Sequence, residues 1–111
     1  MLESVFQHNL ITKLKKMFPG CVILKIDPNY IQGMPDLLIL YRKRWAALEC
    51  KRAKDANKQA NQPFWVSYLN DMSFASFIFP ENEREVLDDL QRAFGVGRKT
   101  CTIKPKQDIL G

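Results

Sequence analysis

The chain has 111 residues, of which 46% are hydrophobic and 26% charged, and this composition predicts one globular domain with a modest core. Its formal net charge of +5 favours an anionic partner such as nucleic acid. No apolar run approaches the length of a membrane span or of a secretory signal. Three scattered cysteines with a single histidine argue against a zinc site, so we expect a cytoplasmic protein with reduced thiols.

The apolar periodicity predicts seven helices and strands, in an order typical of an α/β sandwich around a small mixed sheet. The first helix ends at Pro19–Gly20. The unbroken apolar run over 37–41 predicts a strand that is covered on both faces, and Asn61 and Pro63 suit the start of the second helix. The predicted elements are a helix over 2–18, strands over 21–27, 35–42 and 45–52, a helix over 61–70, a strand over 73–79 and a helix over 81–94.

The aromatic and the basic side chains each allow two interpretations. Phe64, Trp65, Tyr68 and Leu69 are interpreted as the core-facing side of the second helix, the alternative being a platform on which bases stack. The basic residues are expected to contact phosphate, the alternative being an ordinary solvated surface. They are Arg42, Lys43 and Arg44 in the predicted hairpin turn, Lys54 and Lys58 in the loop after the third strand, and Arg98 and Lys99 in the tail. That tail, 96–111, is expected to be a flexible basic arm or to hold an edge strand over 100–103.

Two acidic residues and a lysine occupy the ends of neighbouring strands. Asp36 opens the predicted strand 35–42, and Glu49 and Lys51 lie near the end of the next one. Because side chains alternate along a strand, Glu49 and Lys51 point to one face and Cys50 points to the other. Charges inside otherwise apolar segments are costly unless they are paired, and a divalent metal ion would pair them.

These residue types suit hydrolysis of a phosphodiester bond, which needs an attacking water and stabilisation of charge on the phosphate oxygens. Mg²⁺ prefers hard oxygen ligands, and Asp36, Glu49 and the backbone carbonyl of Cys50 offer them. Lys51 would lie beside the attacking water, and Glu3 could reach the same site from the first helix. The structural alternative is that Asp36 caps a strand, that Glu49 and Lys51 form a surface pair, and that Glu3 only stabilises its helix start.

Pro35–Asp36 followed by Glu49–Cys50–Lys51 resembles the signature of the PD-(D/E)xK nucleases. More narrowly, the chain resembles the compact VRR-Nuc type and the related phage and junction-resolving nucleases over about residues 3–94. Three further features carry the narrower likeness. They are Glu3 with Gln7, Leu10 and Leu14 on the opening helix, the glycine-led Gly33–Met34–Pro35–Asp36–Leu37, and Gln62 followed by Trp65 and Leu69.

The resemblance implies a fold and a set of residue roles. The implied fold is the restriction-endonuclease-like αβββαβ core in residues 1–95, which agrees with the element order predicted independently. The matched residues are the metal-binding acids Asp36 and Glu49, the catalytic lysine Lys51, and the auxiliary helix residues Glu3 and Gln62. Gln59 is a competing match for Gln62, which we prefer because it precedes Pro63.

The activity implied by the resemblance is Mg²⁺-dependent hydrolysis of branched or duplex DNA, with Mn²⁺ as a substitute, as by a Holliday-junction resolvase or a nicking enzyme. Two active sites acting on opposite strands would require a homodimer. The expected location is the cytoplasm of a bacterial or phage-infected cell. The open alternatives are a homing-type or single-strand nuclease of the same fold, and a nucleic-acid-binding or assembly protein that does not cleave. The lysine-rich loop over 53–61 and the basic tail depart from the family pattern.

Overall fold

All seven helices and strands form in the predicted order within residues 1–96, which are the residues that this computed structural model describes. The α/β class and the αβββαβ order are confirmed, with a third helix after the last strand. The elements are α1 (Glu3–Met17), β1 (Val22–Lys25), β2 (Leu37–Tyr41), β3 (Arg44–Cys50), α2 (Gln62–Met72), β4 (Phe74–Ile78) and α3 (Glu83–Ala93). The predictions for Arg98, Lys99 and an edge strand over 100–103 lie outside the described residues. None of the three described helices has the length and apolarity needed to cross a membrane.

The sheet is mixed because one of its four strands returns through a helix. β1, β2 and β3 pair antiparallel in chain order, and β4 pairs parallel with β3. A parallel neighbour requires a crossover connection, and α2 supplies it. Tyr41 lies opposite Arg44, so the hairpin turns through Arg42 and Lys43 alone. The predicted turn of three residues was therefore one residue too long, since Arg44 already belongs to β3.

The main core lies between one face of the sheet and the helices α1 and α3. β2 sends Leu37, Ile39 and Tyr41 to this face, as the alternation along a strand requires. The rings of Phe18, Tyr41 and Phe94 contact one another with centroids 5.1 to 5.6 Å apart. The buried helix residues are Phe6, Leu10 and Leu14 of α1 and Val86, Leu87 and Leu90 of α3. This packing holds the start of α1, and with it Glu3, beside the sheet.

Residues 1–96 cover the opposite face of the sheet only in part, so among them the prediction that both faces of β2 are covered was wrong. α2 packs on β3 and β4 and turns Val66 and Leu69 towards them. Leu40 of β2 is left 37% exposed. The interpretation of the α2 aromatics as core residues was also wrong for Phe64 and Tyr68, which are 58% and 48% exposed.

Candidate metal centre

The predicted site residues meet in one cleft of about 430 Å³ at the end of the sheet. Asp36 immediately precedes β2, Glu49 is the penultimate residue of β3, and Lys51 directly follows β3. The β2–β3 register, continued by one residue, places Asp36 opposite Glu49. Glu3 is the first residue of α1, and Gln62 is the first residue of α2. The N-terminal ends of two helices, which favour negative charge, therefore adjoin the acidic residues.

Three carboxylates form a cluster in this cleft. One oxygen from each of Glu3, Asp36 and Glu49 lies within 4.8 Å of the other two. Glu3 is exposed, Asp36 is half-buried, and Glu49 is only 4% exposed. Carboxylates at this spacing repel one another when ionised, so a cation among them would stabilise the site. The structure thus brings together the three acids that the sequence predicts as metal ligands.

Both carboxylate oxygens of Asp36 accept a hydrogen bond. The backbone N–H of Cys50 donates to Oδ1 at 3.1 Å, and the side-chain amide of Gln7 donates to Oδ2 at 2.9 Å. Gln7 lies four residues after Glu3 on α1, so the two side chains share a helix face. Gln7 was not predicted to take part in the site, although its spacing of four residues from Glu3 on the same helix could have indicated it.

Glu49 also accepts a hydrogen bond on each carboxylate oxygen, and one of the two donors is a side chain of α2. Its Oε1 accepts a hydrogen bond from the backbone N–H of Asp36 at 3.1 Å, and its Oε2 accepts one from the amide of Gln62 at 2.9 Å. The Lys51 ammonium lies 3.6 Å from Oε2. The Gln62 side-chain oxygen accepts the backbone N–H of Gln59 at 2.9 Å, which fixes the orientation of the amide. Of the two competing glutamines, Gln62 is the one whose side chain bonds to the acid.

Burial perturbs the acid–base behaviour of this site. Desolvation raises the pKa of Asp36 from 3.8 to about 6, against the lowering effect of the hydrogen bonds from Cys50 and Gln7. Desolvation and then repulsion by Asp36 raise the pKa of Glu49 from 4.5 to about 7, while Lys51 opposes the increase. Both carboxyl groups therefore hold their protons more tightly than usual. A bound cation would favour their ionised forms and reverse both changes.

Cys50 can contribute only its backbone to this cleft. Its side chain is fully buried in the core, and burial raises the pKa of the thiol well above its usual range. Its backbone N–H points to Asp36, while that of Lys51 donates to Ile78 on β4. The β2–β3 register, extended to Cys50, meets Pro35, which has no N–H to donate to the Cys50 carbonyl. That oxygen is thus suited to act as a metal ligand.

The donor set fits Mg²⁺ or Mn²⁺. Its members are carboxylate oxygens and a backbone carbonyl, the hard ligands that these ions prefer. Glu3 stands at the exposed rim, and Asp36 and Glu49 stand deeper, so one side of the cluster is open to water or substrate. The two glutamines orient the inner carboxylates through hydrogen bonds, as outer residues commonly do in metal sites.

The basic residues predicted to contact phosphate fall into two separate regions. Lys54 and Lys58 lie in the loop that follows Lys51, and the Lys58 ammonium sits 5.0 Å from the ring centroid of Phe77. Phe77 lies opposite Glu49 in the sheet, so this loop adjoins the cleft.

The second basic region lies at the other end of β2, about 17 Å from Asp36 for a strand of this length. Arg42 stacks over the ring of Tyr41, with 4.8 Å between the guanidinium carbon and the ring centroid. Arg44 donates a hydrogen bond to the carbonyl of Ala93 at 2.8 Å. The hairpin is therefore remote from the acid cluster, and Arg44 serves to attach the end of α3 to the sheet.

Gly33 sets the approach of the loop before Asp36 to the start of α2. It has a φ of +90°, and a Cβ at this position would lie 2.7 Å from the Cβ of Asn61. Asn61 immediately precedes Gln62, so this contact sets the distance between the loop that leads to Asp36 and the helix that carries Gln62.

Gly33→Ala is expected to lower the free energy of unfolding by about 3 kcal/mol, because it adds a backbone clash to the strain of a positive φ. Gly20 is the matched control: it has a φ of +89°, and its Cβ would meet nothing within 4 Å. Gly20→Ala should cost only about 1 kcal/mol. Urea unfolding of both variants measures the difference, and equal losses would show that the Gly33–Asn61 contact yields without cost.

The cleft defines a candidate divalent-metal centre with one buried lysine, built on the end of an α/β sheet. Comparison of the chain with protein-family models, with curated proteins and with solved structures found no match in any of the three.

Proposed function

We propose that this chain is a Mg²⁺-dependent endonuclease of the PD-(D/E)xK type that hydrolyses phosphodiester bonds in DNA. The observation that carries the proposal is the acid cluster of Glu3, Asp36 and Glu49, with oxygens within 4.8 Å of one another, beside the Lys51 ammonium 3.6 Å from Glu49. Hard ligands and a fixed cation in one cleft meet the needs of phosphodiester hydrolysis. The αβββαβ order adds support, because the restriction-endonuclease-like core has the same succession.

The metal ion would be held by Asp36, Glu49 and the Cys50 carbonyl, with Glu3 binding it directly or through water. When bound, the ion supplies Lewis-acid stabilisation of phosphate oxygens and lowers the pKa of water. The residues of the chain orient the other reactants. The Lys51 ammonium orients the attacking water or stabilises a phosphate oxygen as its charge develops. Because Lys51 is only 6% exposed, its charge is weakly screened.

The substrate would be DNA recognised by its backbone. Lys54 and Lys58 are exposed and follow the catalytic lysine in the chain, where they would neutralise phosphates flanking the scissile bond. Such contacts position the substrate without reading its bases, so selectivity would follow the structure of the DNA. We accordingly favour junction-resolving or nicking activity.

We also propose that the protein acts in the cytoplasm. Cys21 and Cys50, the cysteines of the described part of the chain, are free thiols, as suits the reducing cytoplasm of a bacterial or phage-infected cell.

Gln7 would orient Asp36 for metal binding. Gln7→Ala removes the hydrogen bond to Oδ2, so the carboxylate loses one of its two fixed donors. We expect affinity for Mn²⁺, measured by calorimetry, to fall about tenfold, and cleavage at limiting metal to fall similarly. Saturating metal should restore much of the rate. Thr12→Ala on the same helix is the control, since its hydroxyl donates to the carbonyl of His8 at an exposed position; equal metal affinity in all three proteins would contradict this role.

Cleavage of a four-way junction, its linear duplex and a single strand, each with Mg²⁺, Mn²⁺ or EDTA, tests the proposed function. Metal-dependent symmetric cuts near the junction centre are the expected result. Cuts confined to linear duplex or single strand would keep the nuclease and replace the resolvase with a homing-type or single-strand enzyme. DNA binding without cleavage in either metal would overturn the proposal and indicate a non-catalytic binding protein.

A further inference from the structure

Within residues 1–96, an apolar groove is left uncovered on the second face of the sheet, between α2, the strands β2 and β3 and the loop that precedes Asp36. Its volume is about 520 Å³, and none of the twelve residues that line it carries a charge. Leu38 and Leu40 of β2 contribute to its floor, and Leu24 of β1 lies directly opposite Leu38 in the sheet. We call this feature the apolar groove. It exists because α2 packs on β3 and β4 and, in the part of the chain that the structure describes, leaves this side of β2 uncovered.

A convex ridge stands beside the apolar groove. Phe64, Tyr68 and Met72 recur every four residues on α2, and they are 58%, 48% and 58% exposed. The rings of Phe64 and Tyr68 stack with centroids 5.6 Å apart and an interplanar angle of 15°, so the two side chains contact each other. Met72 also lines the apolar groove. We call these three residues the α2 ridge, and it forms one continuous surface with the groove.

We propose that the α2 ridge and the apolar groove form a self-association surface whose partner is a second copy of this chain. A two-fold contact uses the same patch on both subunits, so the patch must contain both a projection and a matching hollow. The α2 ridge and the apolar groove supply them side by side. The lack of charge along the groove argues against nucleic acid as its occupant, because it offers nothing to phosphate.

The size of the surface agrees with a stable pair. Its main exposed side chains are Leu24, Tyr30, Leu40, Phe64, Tyr68 and Met72, at 37% to 82% exposure. If each of the six is given the area of a large aromatic side chain, about 200 Å², their exposed parts amount to at most roughly 650 Å². A standard interface buries about 800 Å² on each partner, whereas the largest apolar patch of a typical monomer covers about 300–600 Å².

Self-association along this surface would bring two clefts into one assembly. The α2 ridge begins at Phe64, two residues after Gln62 at the cleft, so each metal centre would lie near the interface. The pairing itself follows from the surface, while its consequence, two cuts in one encounter with DNA, rests on the proposed nuclease function.

Sedimentation velocity of the full chain tests the pairing without reference to catalysis. Wild type should sediment as a species of about 26 kDa, twice the 12.9 kDa chain, with a dissociation constant in the micromolar range or tighter. Tyr68→Arg and, independently, Leu40→Arg should weaken association about a hundredfold, because each buries a charge in the interface. Val5→Arg is the matched control: Val5 is 44% exposed on α1, which packs on the other face, and this variant should remain paired.

Each alternative result has a definite meaning. The proposal would be overturned if wild type is monomeric, or if Tyr68→Arg and Leu40→Arg both remain dimeric. Circular dichroism distinguishes loss of pairing from loss of folding, which is not expected because both positions are partly exposed. A monomeric wild type whose binding to single-stranded oligothymidine falls in Tyr68→Arg would identify the ridge as a base-stacking platform instead. If pairing is confirmed but no DNA is cut, the nuclease proposal alone fails.

Discussion

Under the proposed nuclease function, Lys51→Met is expected to reduce the rate of DNA cleavage about 1,000-fold while leaving DNA binding intact, because it removes the fixed cation from the proposed catalytic cleft. Methionine nearly matches lysine in length and is apolar, which suits a position that is 6% exposed. Without the ammonium, the pKa of Glu49 should rise further, since Lys51 is the charge that lowers it. The fold should therefore survive, with Glu49 protonated in the metal-free protein.

Single-turnover cleavage of a labelled junction measures the rate, and fluorescence anisotropy with Ca²⁺ in place of Mg²⁺ measures binding. Lys54→Met is the control, since it removes the same charge from an exposed position in the next loop. That variant should bind DNA more weakly, with a shallower dependence on salt, and should keep its turnover at saturating protein. Normal turnover by Lys51→Met would remove Lys51 from the catalytic machinery.

Asp36→Asn should stabilise the metal-free protein at neutral pH and nearly eliminate its stabilisation by Mg²⁺. In the folded chain the pKa of Asp36 is raised to about 6 and that of Glu49 to about 7, from ordinary pKa values of 3.8 and 4.5. Between pH 4 and pH 7 the folded state thus binds more protons than the unfolded state. These two groups therefore make the free energy of unfolding fall as pH rises through that interval, and their full cost is present above pH 7.

Asparagine removes the ionisation of Asp36 and still accepts the hydrogen bond from Cys50, and the amide of Gln7 can turn to present its oxygen. We expect a gain of about 2 kcal/mol at pH 7.5 and almost none at pH 4. Mg²⁺ should raise the melting temperature of wild type more at pH 8 than at pH 6, since the ion competes with protons for the same oxygens.

Thermal melts of both proteins across pH, with and without Mg²⁺, provide the comparison. Asp55→Asn removes a carboxylate from the exposed loop and serves as the control that should keep the wild-type response to metal. Equal metal-induced shifts in wild type and Asp36→Asn would exclude Asp36 as a ligand. A metal-free Asp36→Asn that is less stable than wild type at pH 7.5 would show that desolvation of this carboxylate is not the dominant cost.

The sequence by itself determined the order of the elements and the heart of the candidate site. Helical and strand periodicities are local properties, so they predict α1 to α3 and β1 to β4 without knowledge of the packing. Alternation along β3, continued by one residue, likewise requires Glu49 and Lys51 to share a face, and the hairpin brings Asp36 to the same end of the sheet. These predictions succeed because each depends on neighbours in the chain.

Only the tertiary structure decided which side chains meet and which stay exposed. Gln7 reaches Asp36 across 29 residues of sequence, and its bond depends on how α1 seats on the sheet. The exposure of Phe64 and Tyr68 depends on which side of α2 turns towards β3 and β4, and apolarity alone does not tell a core face from an interaction surface. The high pKa values of Asp36 and Glu49 arise from burial, and burial is a property of the assembled fold rather than of any segment of the chain.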